Sequence, residues 1–198
     1  MYIIRLFVKL FGGVWKLKEL CTRVRNPFFR QMLIKLYRFD QNYRGAGIAW
    51  NSQFAGEPCM PHGMQGIFVS AMSKIGKNCV IFQQVTIGAN VLPDSKNRGA
   101  PTVGDNCYIG AGAKIIGNVK IGNNVRIGAN CVVYQDVPDN CVVVSNTQTV
   151  ISRQEELDNR FHYYDGKNWL YFDDGRWVEE KSPEFLEKLD FYRRSYDR

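Results

Sequence analysis

The sequence predicts a mainly β chain built on a solenoid, with helices before it and a small β and helical appendage after it. Three observations predict this. Between Val69 and Pro138 an aliphatic residue returns every sixth position, a small residue or valine follows four places later, and glycine and asparagine recur at fixed places between them. The leading positions are Val69, Ile75, Ile81, Ile87, Val103, Ile109, Ile115, Ile121, Ile127 and Val133; the companions are Ser73, Cys79, Val85, Val91, Cys107, Ala113, Val119, Val125, Cys131 and Val137. A period of six fits neither the 3.6-residue face of an α-helix nor the two-residue alternation of an isolated strand. It fits short strands joined by turns, stacked so that each coil buries its inward aliphatics against the coils above and below. Ten hexads make roughly three three-sided coils. Gly76, Gly88, Gly104, Gly110, Gly122 and Gly128 follow leading aliphatics, and Asn78, Asn90, Asn106, Asn118, Asn124 and Asn130 precede companions. These are the residue types that supply left-handed backbone at tight corners.

Taken in order, residues 1–44 form an N-terminal segment. Residues 2–20 read as an amphipathic helix, with Arg5, Lys9 and Lys16 within about 40° of one another and Ile3, Phe7, Leu10, Val14 and Leu17 on the opposite side. Charges interrupt the first apolar run and no small-residue cleavage site follows, which argues against a signal peptide or a membrane span. Two readings of the helix stay open: packing against the solenoid or a sister subunit, or peripheral contact with an anionic membrane. A second helix is expected from Pro27, which suits a first turn, to Arg38. Residues 47–68 look like degenerate first rungs, since Ile48, Phe54 and Ile67 are apolar but out of frame.

The repeat occupies residues 45–150, and residues 151–198 change character. Asp165-Gly166 and Asp174-Gly175 stand between aromatic runs, a hairpin signal that predicts a small aromatic meander, followed by a helix from about Pro183 to Tyr196. That meander either packs on the solenoid or offers a platform on which a sugar could stack.

At 198 residues and 45% hydrophobic, the chain supports one ordinary domain with appendages. Cys79, Cys107 and Cys131 fall at inward companion positions, where a free thiol is a small apolar filler, and a reducing cytoplasm is the expected compartment. With His62 and His162 the only histidines and no CxxC, no zinc spacing is present and no metal is expected. The net charge of +7 is uneven. Residues 1–44 carry ten Lys or Arg against Glu19 and Asp40, whereas residues 151–198 are net acidic. No nucleic-acid motif or base-stacking set accompanies that basic segment, so nucleic-acid binding is not expected.

The run HGMQGIFVSAMSKIGKNCVIFQQVTIGAN and, after a loop, GAPTVGDNCYIGAGAKIIGNVKIGNNVRIGANCVV resemble the hexapeptide-repeat acyltransferases. Within that superfamily they are similar to serine acetyltransferases and their relatives in polysaccharide gene clusters. The resemblance covers about positions 45–145. It implies a left-handed parallel β-helix, a homotrimer and acetyl-CoA as acyl donor.

Moving an acetyl group from a thioester to a hydroxyl needs a base, a donor for the developing oxyanion and a groove for coenzyme A. An unperturbed imidazole, with a pKa of about 6.5, is mostly an available base at neutral pH. His62 is the one histidine near the solenoid, and its distance from Gly88 closely matches the position of the family's catalytic histidine. The same resemblance implies an oxyanion donor at the Gly88 or Ala89 amide and a coenzyme A wall of Gly110, Ala111, Gly112, Gly128 and Ala129. Lys114 and Arg126 could meet its phosphates, and Arg98, in the loop PDSKNRGAP, the acceptor. The chain departs from serine acetyltransferases in three places. Ala100 stands where they carry a loop histidine before proline, Gly47 where a carboxylate orients the catalytic histidine, and SNTQT at 145–149 lacks the proline, small and basic residues of their final loop. Glu57 is a substitute carboxylate. These departures point the leading expectation to a sugar hydroxyl of a surface polysaccharide, with serine O-acetylation of cysteine biosynthesis or a non-catalytic trimeric scaffold as alternatives. The expected location is cytoplasmic, with peripheral contact at the inner membrane face through residues 2–20.

Overall fold

All ten leading aliphatics point inward and are buried, as are nine of their ten companions. A computed structural model describes residues 7–92, 95–144, 149–154, 156 and 158–196. Over residues 47–144 it is a left-handed parallel β-helix of three faces. The first face stacks β1 (Gly47–Ile48), β3 (Phe68–Val69), β6 (Thr86–Gly88), β9 (Lys114–Ile116) and β12 (Val132–Val133). The second stacks β2 (Gln53–Phe54), β4 (Lys74–Ile75), β7 (Thr102–Val103) and β10 (Lys120–Ile121). The third stacks β5 (Val80–Ile81), β8 (Tyr108–Ile109), β11 (Arg126–Ile127) and β13 (Cys141–Val144), and is closed by β14 (Thr149–Ser152), which pairs antiparallel with β13.

Register explains the sequence period. Thr102 pairs with Lys120 and Tyr108 with Arg126, so three hexads complete one coil. Between β6 and β7 the offset lengthens, because a loop closed by the Asn90 and Gly99 backbones is inserted there. Val91 falls in this loop and is 73% exposed, so it is not an inward companion. The broken frame of residues 47–68 still makes a coil: β1 and β2 stack on β3 and β4, and Cys59 bridges to Val80.

Asparagine and glycine divide the corners differently from the sequence expectation. Asn78, Asn106, Asn124 and Asn130 do take positive φ, from 53° to 57°. Asn106 donates to Asn124, and Asn124 to Asn140, in a ladder down one corner. Gly76, Gly104, Gly110 and Gly122 do not need positive φ; they are needed for clearance. A Cβ on Gly104 would lie 2.7 Å from the backbone carbon of Gly122, and one on Gly76 2.5 Å from that of Gly104.

The N-terminal helix is not continuous. It is helical at 7–10, breaks at Gly12 and Gly13 with φ of 83° and 98°, and resumes as α1 (Val14–Arg23). Residues 2–6 of the expected helix lie outside the described residues. Leu17 and Cys21 of α1 are buried with Leu33, Ile34 and Tyr37 of α2 (Pro27–Tyr43), while Val14 and Trp15 pack on the solenoid core. Lys18, only 7% exposed, reaches the carbonyls of Trp50 and Ser52, and desolvation lowers its pKa to about 8. α2 is capped by Asn26, whose side chain accepts from the Phe28 and Phe29 amides. It runs five residues past Arg38, because Gln41 accepts from the amide of Ile48 and ties the helix end to the first coil.

Beyond the solenoid, β15 (His162–Tyr164), β16 (Trp169–Asp173) and β17 (Arg176–Glu179) form the expected antiparallel meander, turning at both Asp-Gly pairs. The closing helix is α3 (Pro183–Tyr196). The six cysteines are buried.

Candidate functional site

Each coil turns three corners, and the chemistry expected from the sequence divides between two of them. The corner leading from the third face to the first holds His62 in the turn at 61–66, then Phe82 one coil on, then Gly110–Ala111–Gly112, then Gly128–Ala129. The proposed base and the proposed coenzyme A wall therefore share one edge of the prism. The wall has a structural cause of its own. A Cβ on Gly110 would come within 2.7 Å of the Ala129 amide nitrogen, and one on Gly112, which takes φ of 71°, within 2.1 Å of Asn130 Oδ1. Small residues here leave main chain, rather than side chain, at the surface of the edge.

Gly88, Ala89 and Arg98 lie at the next corner, from the first face to the second. Arg98 is exposed in the inserted loop, which is fastened by Asn97 Nδ2 to the Ile116 carbonyl at 3.5 Å. The width of the first face separates His62 from these groups, so one chain does not bring the base and the expected oxyanion donor together. Lys114 and Arg126 are already engaged. Lys114 Nζ donates to the Gln84 carbonyl at 2.6 Å, and Arg126 Nε to Asn159 Oδ1 at 2.8 Å, with a second bond to the Asp158 carbonyl. The final-loop departure at 145–148 lies outside the described residues.

His62 is exposed at the mouth of a cavity of about 710 Å³. The solenoid side supplies Met60 and Met64, α1 supplies Trp15, and the C-terminal meander supplies Phe161, Tyr163 and Trp177. Ring centroids run 5.7 Å from His62 to Phe82, 6.1 Å from Phe82 to Phe161, and 6.1 Å from Phe161 to Trp177. The meander is held there by polar contacts to the asparagine corner: Asn159 donates to the Asn106 carbonyl, and the Asp174 amide to Asn78 Oδ1 at 2.8 Å. The sequence pointed to an aromatic meander but carried no signal placing it at the histidine.

Glu57 and Arg44 also border this cavity. Although Glu57 is exposed at the rim, partial burial among the cavity walls raises its carboxyl above the ordinary glutamate value. Among the described residues no hydrogen bond joins it to His62. At Gly47 a Cβ would lie 2.3 Å from the Phe68 ring, so that ring fills the place of a side chain.

Comparison with known proteins gives the repeat and the fold a context. Residues 100–135 match the bacterial transferase hexapeptide (six repeats). A serine acetyltransferase of Synechococcus elongatus is 45% identical over 137 residues, which is 67% of this chain and 55% of that protein. One from Staphylococcus epidermidis is 36% identical over 124 residues, 63% of this chain and 55% of that protein. The chain thus spans about half the length of these curated relatives. Among solved structures, the serine acetyltransferase of Neisseria gonorrhoeae superposes with a TM-score of 0.59 at 27% identity, covering 72% of this chain and 52% of that one. A serine acetyltransferase in complex with CoA superposes with a TM-score of 0.55 at 26% identity, covering 70% and 54%.

Proposed function

We propose that this chain is a hexapeptide-repeat acyltransferase that moves an acetyl group from acetyl-CoA to an alcohol hydroxyl, with His62 as the general base. The carrying observation is that His62 stands on the same edge as the small-residue wall and at the mouth of a cavity lined from the solenoid, α1 and the meander together. An imidazole nitrogen takes the hydroxyl proton as the oxygen attacks the thioester carbonyl. The oxyanion so formed needs N–H donors, and the Gly88 or Ala89 amide of a neighbouring subunit is the group the spacing supplies. Collapse expels the thiolate of coenzyme A, which takes the proton back from the imidazolium, so the histidine ends as it began. The donor would lie along Gly110, Ala111 and Ala129, and use of Lys114 or Arg126 for its phosphates would require them to leave their present partners.

The names of the matched relatives favour serine as acceptor, more strongly than they favour any other. A second reading, a saccharide hydroxyl of a surface glycan, rests on specific observations: Ala100 replaces the loop histidine, Phe68 fills the space at Gly47, and five aromatic rings (Trp15, Phe161, Tyr163, Phe172 and Trp177) line the cavity at His62. Flat sugar faces stack on such rings, whereas serine has nothing to stack. Release of free thiol from acetyl-CoA, measured with serine and with a panel of nucleotide sugars and oligosaccharides, separates the two. Turnover with serine alone selects the serine reading; turnover with saccharides selects the other. Absence of acetyl-CoA binding at millimolar donor would leave a non-catalytic trimer.

A further inference from the structure

We infer that the outward face of α2 is a docking surface for an anionic lipid bilayer. On a helix turning 100° per residue, Phe28, Met32, Phe39 and Tyr43 fall within about 60° of one another. They face away from the buried Leu33, Ile34 and Tyr37 and are between 41% and 75% exposed. Four large apolar side chains on one exposed helix face exceed the scattered surface hydrophobics of a soluble domain.

Charge selects the occupant. Lys35 lies about 20° from the edge of the stripe, Arg38 about 80° from it on the same side, and Arg25 just before the helix, and all three are exposed. Among the described residues none of the three pairs with a carboxylate. The sole acid of α2, Asp40, is buried and bound to Arg44 at 2.7 Å. A second copy seated on this face by a two-fold axis would set these cations against each other with no acid to answer them. An anionic bilayer answers both features, taking the rings into its headgroup boundary and drawing the cations to its phosphates.

The position is consequential. α2 packs on β1 at the first-coil end of the solenoid, and Arg44, directly after α2, borders the cavity of His62. A bilayer on this face would lie beside the end of the prism that carries the histidine. The surface stands independently of which acceptor is used, because its test reads binding alone.

The full chain should co-sediment with vesicles of phosphatidylcholine containing a third phosphatidylglycerol about tenfold more strongly than with phosphatidylcholine alone. That preference should fall several-fold as salt is raised from 50 to 300 mM, since screening shortens the Debye length. Phe28→Ser with Phe39→Ser should abolish binding while leaving circular dichroism and thermal midpoint unchanged, and Lys35→Glu with Arg38→Glu should remove the anionic preference. Equal binding to both vesicle types, or full binding by the double serine variant, overturns the inference. So does a change in particle mass on Phe28→Ser with Phe39→Ser, which would make the face a subunit contact.

Discussion

His62 carries most of the proposed chemistry without a fixed carboxylate partner, since Phe68 occupies the space at Gly47 and Glu57 makes no hydrogen bond to it among the described residues. General-base catalysis contributes about 10² to 10⁴-fold, so His62→Ala should lower turnover by that factor while acetyl-CoA affinity stays within a few-fold. Steady-state kinetics beside calorimetric titration of the donor would show it. Retention of more than about a third of wild-type turnover, with chemistry rate-limiting, would mark the histidine as structural. It was picked out through the resemblance, by its distance to Gly88, because residues 47–68 lie outside the six-residue frame that fixes the corners elsewhere. Arg126 and Lys114 were less legible. A cation that faces out from a rung looks the same in sequence whether it holds a ligand, the Gln84 carbonyl or a tail residue such as Asn159.

At the scale of the element, six-residue spacing announced the inward positions, and only Val91 failed, because a loop rather than a coil follows Ala89. The corner chemistry was half legible. Asparagine does supply left-handed backbone, but the glycines after leading aliphatics serve the separation between coils, a distance no single strand reveals. Gly104→Ala tests this. Its Cβ would meet backbone of the next coil, which moves less easily than the end of a side chain, so the substitution should destabilise by about 1–3 kcal/mol in urea unfolding. A loss below about 0.5 kcal/mol would mean that the stack relaxes around the methyl group. The interruption at Gly12 and Gly13 went unread because an apolar face can be drawn through a glycine pair on a wheel, whereas positive φ at both residues turns the chain.

For the whole molecule, the division of the proposed site between two corners governs what the chain would need from a neighbour. His62 and the small-residue wall lie on one edge, and Gly88, Ala89 and the inserted loop on the next, with the first face between them. A reaction that needs both within hydrogen-bond reach of one thioester needs a second chain to present one edge against the other. The third face is partly taken by the meander, through Asn106 and Arg126, whereas the first face carries the exposed apolar side chains Phe68, Val132 and Tyr134. In a closed ring of three, the assembly the resemblance implies, each chain presents one of these edges to each neighbour. Light scattering of the purified chain should therefore give about three times 22.8 kDa. Mixing His62→Ala with a variant blocked at the other corner, Ala89→Trp, should restore part of the activity through hybrid rings in which one seam keeps both intact edges. A monomer with full activity, or hybrids as inactive as either parent, would mean that the two edges do not share a site.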